Sequence, residues 1–267
     1  MRRLPHLQSL NTELGWDIFH LAMKDNAENL WEVAEPCLYY AYHNRFAEVS
    51  KILDCIQATA SGKALKVWGR ISALAALSGH TNFSELLQKL QELASSDAWN
   101  GAASVWTHAQ NVAQHQEQCL AGIAAGLRTT EKNASEVAKK MASLFRGDEP
   151  IIIVPSDLVG RYFSLIKNGE RFSLYGFDEW LNKVSQWNID EALNVAEIYV
   201  DYAKHAQHLI QDNGPLTQLL TKLFHEAEER EEADEGVMLL RVIAIQDVLL
   251  SLGVNGVQEW LRDAERP

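Results

Sequence analysis

Proline is missing from one long stretch of this 267-residue chain: none occurs between Pro36 and Pro150. Proline removes a backbone donor and clashes with the preceding turn, so its absence leaves room for an unbroken series of helices. With 15 glycines and 6 prolines, the chain is neither collagen-like nor a turn-rich protein of many strands. Cysteine is scarce too. Cys37, Cys55 and Cys119 are odd in number and form no Cys-x-x-Cys pair, which suits reduced thiols and not a disulfide framework. No apolar run approaches the ~20 residues that cross a bilayer. Met1-Arg2-Arg3-Leu4-Pro5-His6 has basic residues but no apolar stretch behind them, so it does not read as a secretory signal. These absences predict a cytoplasmic protein with no membrane partner. Basic charge is in deficit as well, 24 Lys and Arg against 36 Asp and Glu, for a net −12. Nucleic acid is therefore not the expected partner, because phosphate binding calls for a surplus of cations.

Catalytic signatures are also lacking. The chain has no Gly-x-Ser-x-Gly, no His-Glu-x-x-His and no Gly-x-Gly-x-x-Gly. Ser61-Gly62-Lys63-Ala64 carries the Gly-Lys of a phosphate loop and fails it twice. Gln57 stands where the first glycine belongs, and Ala64 replaces the metal-binding hydroxyl. It reads as a turn between two helices, and no cofactor is expected.

What the chain does have is helical periodicity. Apolar residues are 47% of it and charged residues 22%, which excludes wholesale disorder. Phe46, Val49, Ile52, Leu53 and Ile56 keep the spacing of an amphipathic helix. Leu65, Trp68, Ile71, Ala75 and Leu77 make a second, closed by Gly79. Asn82 or Thr81 caps a third, with Phe83, Leu86, Leu87, Leu90 and Leu93 inward, and Asp97 a fourth reaching Val112. Two more fall near 115–127 and 133–146. Ile151-Ile152-Ile153-Val154 suits a short strand or extended linker, and 171–175 a second extended segment. Helices resume at about 156–168, 177–187, 190–211, 215–231, 235–252 and 255–264. Helix pairs thus begin near residues 45, 82, 115, 155 and 189, the period of stacked hairpins. The predicted class is all-α, stacked antiparallel hairpins of HEAT-like type, with an irregular helical bundle as the alternative. Residues 1–150 form N-terminal repeats and 151–267 C-terminal repeats after the extended linker, in one continuous array.

Three groups of side chains are candidates for function. Tyr39, Tyr40, Tyr42 and His43 crowd rings around one helix, and a helix has a single inward stripe, so they cannot all be buried. Residues 225–236 hold seven acids and one arginine. There Glu228, Glu229, Glu231 and Glu232 predict an exposed, frayed connection able to steer a basic partner. Asp201, His205 and His208 stand at i, i+4 and i+7, a spacing that can serve one metal ion, with Glu197 a turn away. A solvated polar stripe accounts for the same spacing. Of the eight tryptophans, Trp68, Trp106 and Trp180 sit on apolar stripes as core wedges. Arg128, Lys132, Lys139, Lys140 and Arg146 add a modest basic patch.

The stretch Val67-Trp68-Gly69-Arg70-Ile71-Ser72-Ala73-Leu74-Ala75-Ala76-Leu77 resembles the second helix of a HEAT-like hairpin, with small residues where helices stack closely. Over about residues 37–260 the chain is similar to the helical-repeat regions at the C-terminus of large bacterial NTPases, those of antiphage defence among them. The resemblance implies a sensing or scaffolding part without the NTPase engine, and no functional residue carries over. The leading expectation is a non-catalytic module that binds another protein. An acidic inhibitor of immunity type, masking a basic enzyme surface, is the first alternative. A metal-dependent helical enzyme is the second.

Overall fold

The computed structural model describes residues 4–24, 30–59, 62–147, 149–166, 174–206, 210, 214–254 and 256–257. Among them every regular element is a helix, so the protein is all-α. The chain divides into two compact units, Met1–Lys140 and Met141–Pro267, so the division falls before the Pro150 boundary expected from sequence.

The first unit runs α1 (Leu4–Leu10), α2 (Thr12–Met23), α3 (Trp31–Ala41), α4 (Phe46–Thr59), α5 (Gly62–Leu77), α6 (Phe83–Leu93), α7 (Ser96–Trp106), α8 (Ala109–Gln114), α9 (Gln116–Leu127) and α10 (Glu131–Met141). Local chemistry sets its boundaries. Gly79 takes φ +76°, which lets His80 N–H reach Ala75 O at 2.9 Å and Gly79 N–H reach Ala76 O at 3.1 Å, closing α5. Asn82 Oδ1 then accepts from Ser84 N–H at 2.8 Å and Glu85 N–H at 3.3 Å to open α6. Ser95, not Asp97, caps α7. The helix expected to continue to Val112 stops at Trp106, where Thr107 and His108 leave helical geometry before α8. Asp97 sits in the first turn instead, where a negative charge suits the helix dipole.

Most helix contacts in this unit join immediate neighbours or elements two along, as in α3 with α5, α5 with α7 and α7 with α9, and α6 also reaches α9. The α5–α7 contact is made by backbone. A Cβ on Gly69 would overlap the carbonyl of Ala98, and one on Gly101 would overlap that of Lys66. Ala73, Ala76, Ala98 and Ala102 flank the notch, all buried. Further along, Gly122 of α9 lies against the Trp106 ring, where a Cβ would come within 2.6 Å of Cδ2. Trp99 and Trp106 are fully buried with centroids 6.2 Å apart, and Trp68 is buried on α5.

The second unit opens with a 3₁₀ turn, Ala142–Phe145, where a helix had been expected to run to 146. It continues with α11 (Ser156–Leu165), α12 (Phe177–Val184), α13 (Ile189–Ala206), α14 (Pro215–Asp234) and α15 (Val237–Ser251). Its centre is aromatic. Phe145 meets Trp180 at 4.8 Å and Tyr162 at 5.0 Å, and Phe177 meets Tyr199 at 4.8 Å. Ile151–Val154 is irregular backbone rather than a strand, and it belongs to the core. Ile152 and Val154 are buried, and the Ile152 carbonyl accepts from Trp180 Nε1 at 2.9 Å. The second extended segment lies largely outside the described residues, as does most of the 255–264 helix.

Long-range side-chain hydrogen bonds join helices 34 to 36 residues apart in the first unit and 35 to 47 apart in the second. Arg70 donates to Ser104 at 3.0 Å and to Glu35 at 2.5 Å, partners 34 and 35 residues away. Asn100 donates to Glu136 at 2.6 Å, 36 residues on, and Asn182 to Gln218 at 2.9 Å, again 36. Arg241 grips Glu197 of α13 through two 2.7 Å bonds. Such a planar fork on a carboxylate fixes orientation as well as distance.

Gly69→Ala and Gly101→Ala should each destabilise the protein by at least the ~1–3 kcal/mol of an overpacked core, because the obstacle is backbone and cannot swing aside. Gly160→Ala on α11 is the control. Its Cβ would meet Ile198 Cδ1 at 3.7 Å, ordinary contact, so stability should hold or rise. Trp106→Ala should cost about 3–5 kcal/mol through the cavity it leaves. Urea denaturation reads all four.

Candidate interaction surface

In the first unit the ring cluster at the end of α3 is split between core and solvent. Tyr42 is 6% exposed and Tyr39 and Tyr40 are 48% and 68% exposed. Tyr42 packs on His43 at 4.1 Å and holds Tyr39 at 6.2 Å, and His80 stacks on Phe46 at 5.0 Å behind them. Tyr42 is therefore buried beneath the exposed pair. A helix turns 100° per residue, so positions 39 and 40 look outward while 38 and 42 look in.

The sequence reading missed an apolar stripe on α2. Leu14, Ile18 and Leu21 are exposed at i, i+4 and i+7, while Trp16 and Phe19 fill the opposite face. The signal was present in Leu14-Gly15-Trp16-Asp17-Ile18-Phe19-His20-Leu21, which is apolar on two sides. It also missed how Lys66 and Arg70 of α5 approach Lys140 of α10. Burial first, and then those two cations, lower the Lys140 pKa. The expected basic patch is thus drawn partly from a helix seventy residues earlier in the chain, beyond the reach of local pattern.

In the second unit the acidic run is helical to Asp234 and not frayed. Arg230 offsets part of its repulsion, taking Glu226 at 2.5 Å and Asp190 at 2.6 Å. These bonds raise the arginine's pKa, Glu226 contributing first. Glu228, Glu229, Glu231 and Glu232 all stay exposed, with His225 Nδ1 at 3.8 Å from Glu228. The helix ends at Glu235 and Gly236, both left-handed, at φ +58° and +75°. On α15, Val237, Leu240 and Ile243 are exposed, a face that its run of aliphatic residues on every side already signals. Trp187 and Tyr175 are exposed as well.

Of the metal candidates, only Asp201 and His205, with Glu197, lie among the described residues. His205 Nδ1 lies 3.3 Å from Asp201 Oδ1, and both side chains are mostly in solvent. Glu197 is occupied by Arg241, and His208 lies outside the described residues. Among the described residues no three His, Cys, Asp or Glu side chains form a cluster able to hold a metal ion. Nor do the thiols offer a nucleophile in the core. Burial pushes Cys119 up to about 12 and Cys37 up to about 11, so both are protonated at neutral pH.

Of the three cysteines only Cys55 is exposed, so a thiol reagent should modify it rapidly in the native protein and the other two only on unfolding. Rapid loss of Cys37 or Cys119 in a mass-spectrometric time course would contradict their burial. The chain matches no protein-family model, no curated protein and no solved structure.

Proposed function

We propose that the chain is a non-catalytic protein-binding module, a sensing or scaffolding element of a cytoplasmic bacterial system of the antiphage kind, built as HEAT-like stacked hairpins. One observation supports this reading: long-range side-chain hydrogen bonds between helices span one helix pair throughout, 34 to 36 residues in the first unit and 35 to 47 in the second. Stacking of equivalent hairpins produces that recurrence, and stacked hairpins expose surface in proportion to length while each repeat touches only its neighbours. Tyr39 and Tyr40 supply the anchors, since tyrosine brings large area at low entropic cost and a polar tip that tolerates solvent when free. Among the described residues no helix is long and apolar enough to cross a membrane.

The exposed carboxylates of α14 favour a second reading, an acidic inhibitor that masks a basic enzyme surface. Each surface acts within its own unit. Charges such as Glu228, Glu229, Glu231 and Glu232 act at a distance and set association rates, whereas desolvated rings set dissociation.

The two readings separate in the kinetics of a partner captured from the native cell and then purified. If the tyrosines anchor it, Tyr40→Ala should speed dissociation about tenfold or more, the size of one interface anchor, with little change in association. Reversing the four glutamates to lysine should slow association and flatten its salt dependence if the acidic surface steers. Unchanged rates in both variants would reject both surfaces. A turnover activity abolished by His205→Ala would show an enzyme instead.

A further inference from the structure

Helix α2 is seated on the first unit by Trp16 and Phe19, both buried, with their rings 5.3 Å apart. That fixes its rotation, and it turns Leu14, Ile18 and Leu21 to solvent at 47%, 37% and 73% exposure. The steps between them are four and three residues, the spacing with which one helix meets another along a coiled-coil seam. Asp17 and Lys24 border one side of the stripe, both exposed and, among the described residues, without an ion pair in their own chain. Gly15 and Ala22 border the other side and carry no charge. The charged border is thus one acid and one base, two helical turns apart.

We infer that α2 docks against α2 of a second copy of this chain, antiparallel about a two-fold axis between Ile18 and Leu21. A two-fold contact must complement itself, and this stripe does so in one alignment. With Ile18 of each copy against Leu21 of the other, Asp17 of each comes beside Lys24 of the other, which makes two equivalent ion pairs. Sliding the copies until Ile18 meets Leu14 brings the two Asp17 side chains together instead. A parallel arrangement sets Asp17 beside Ala22 and leaves Lys24 unpaired. A partner of one charge sign would attract one border residue and repel the other, so the surface that fits this border is its own reverse. The face is small beside the ~1,200–2,000 Å² buried in a standard interface, so the dimer is weak and reversible. Exposed ion pairs contribute little energy, and their part is to choose the alignment.

The inference is independent of the partner-binding reading, because only this chain enters the test. Sedimentation equilibrium of the full chain up to about 1 mM should show monomer and dimer and nothing larger, since a two-fold contact closes on itself. Ile18→Asp, at a position already open to water, should keep the circular-dichroism spectrum and remove the dimer. Asp17→Lys and Lys24→Asp should each raise the dissociation constant about tenfold, two attractions having become two repulsions. Both reversals in one chain should restore the dimer, and so should a mixture of the two single variants, which can pair with each other. A monomer at every concentration, a dimer that survives Ile18→Asp or is lost instead in Leu240→Asp on α15, or single reversals that the double variant leaves unrescued would overturn the inference.

Discussion

Two helices of the first unit approach until only glycine fits between them. Gly69 of α5 faces the Ala98 carbonyl and Gly101 of α7 faces the Lys66 carbonyl, so the contact is reciprocal. Backbone cannot change rotamer to relieve a clash, so this contact has no room to give. Much is arranged around it. Arg70 can bond both Ser104 and Glu35 because α3, α5 and α7 are drawn close. Trp99 and Trp106 project from α7 toward α9, where Gly122 and Gly126 make room for their rings. Small residues at one interface and the largest at the next let a single helix serve two neighbours at different distances.

The second unit solves the same problem with rings instead of notches. Phe145, Tyr162, Phe163, Phe177, Trp180 and Tyr199 form one chain of edge and tilted contacts. Polar ties then fix the helices in register. Arg241 is held by Glu197 and Asn194 of α13, and Lys222 of α14 by Asn182 and Ser185. Partly exposed ion pairs contribute modest stability, so their weight lies in orientation.

What the cores leave over forms the outer surface. Leu14, Ile18 and Leu21 on α2, Tyr39 and Tyr40 on α3, and Val237, Leu240 and Ile243 on α15 are exposed although their own helices bury an opposite face. Scattered apolar residues are ordinary on a protein surface, whereas stripes at helical spacing are regular enough to meet another helix or an extended chain. The acidic face of α14 differs in kind, since its charges reach as far as salt allows.

Helical class was legible from sequence because periodicity is local: the stripes of α4 to α7, Gly79 at the end of α5 and Asn82 at the start of α6 all depend on residues within a few turns. Burial of Trp68, Trp106 and Trp180 followed from the same stripes. The break at Thr107, the extension of the acidic helix from 231 to Asp234 and the burial of Ile152 were not read from the sequence. Arg230 holds the acidic helix through Asp190, 40 residues away, and Trp180 recruits the Ile152 carbonyl across 28. The candidate surfaces divide likewise. Crowding of four rings near residue 40 required that some face outward, but only tertiary packing, with His80 against Tyr42, set Tyr42 in the interior and Tyr39 and Tyr40 on the outside.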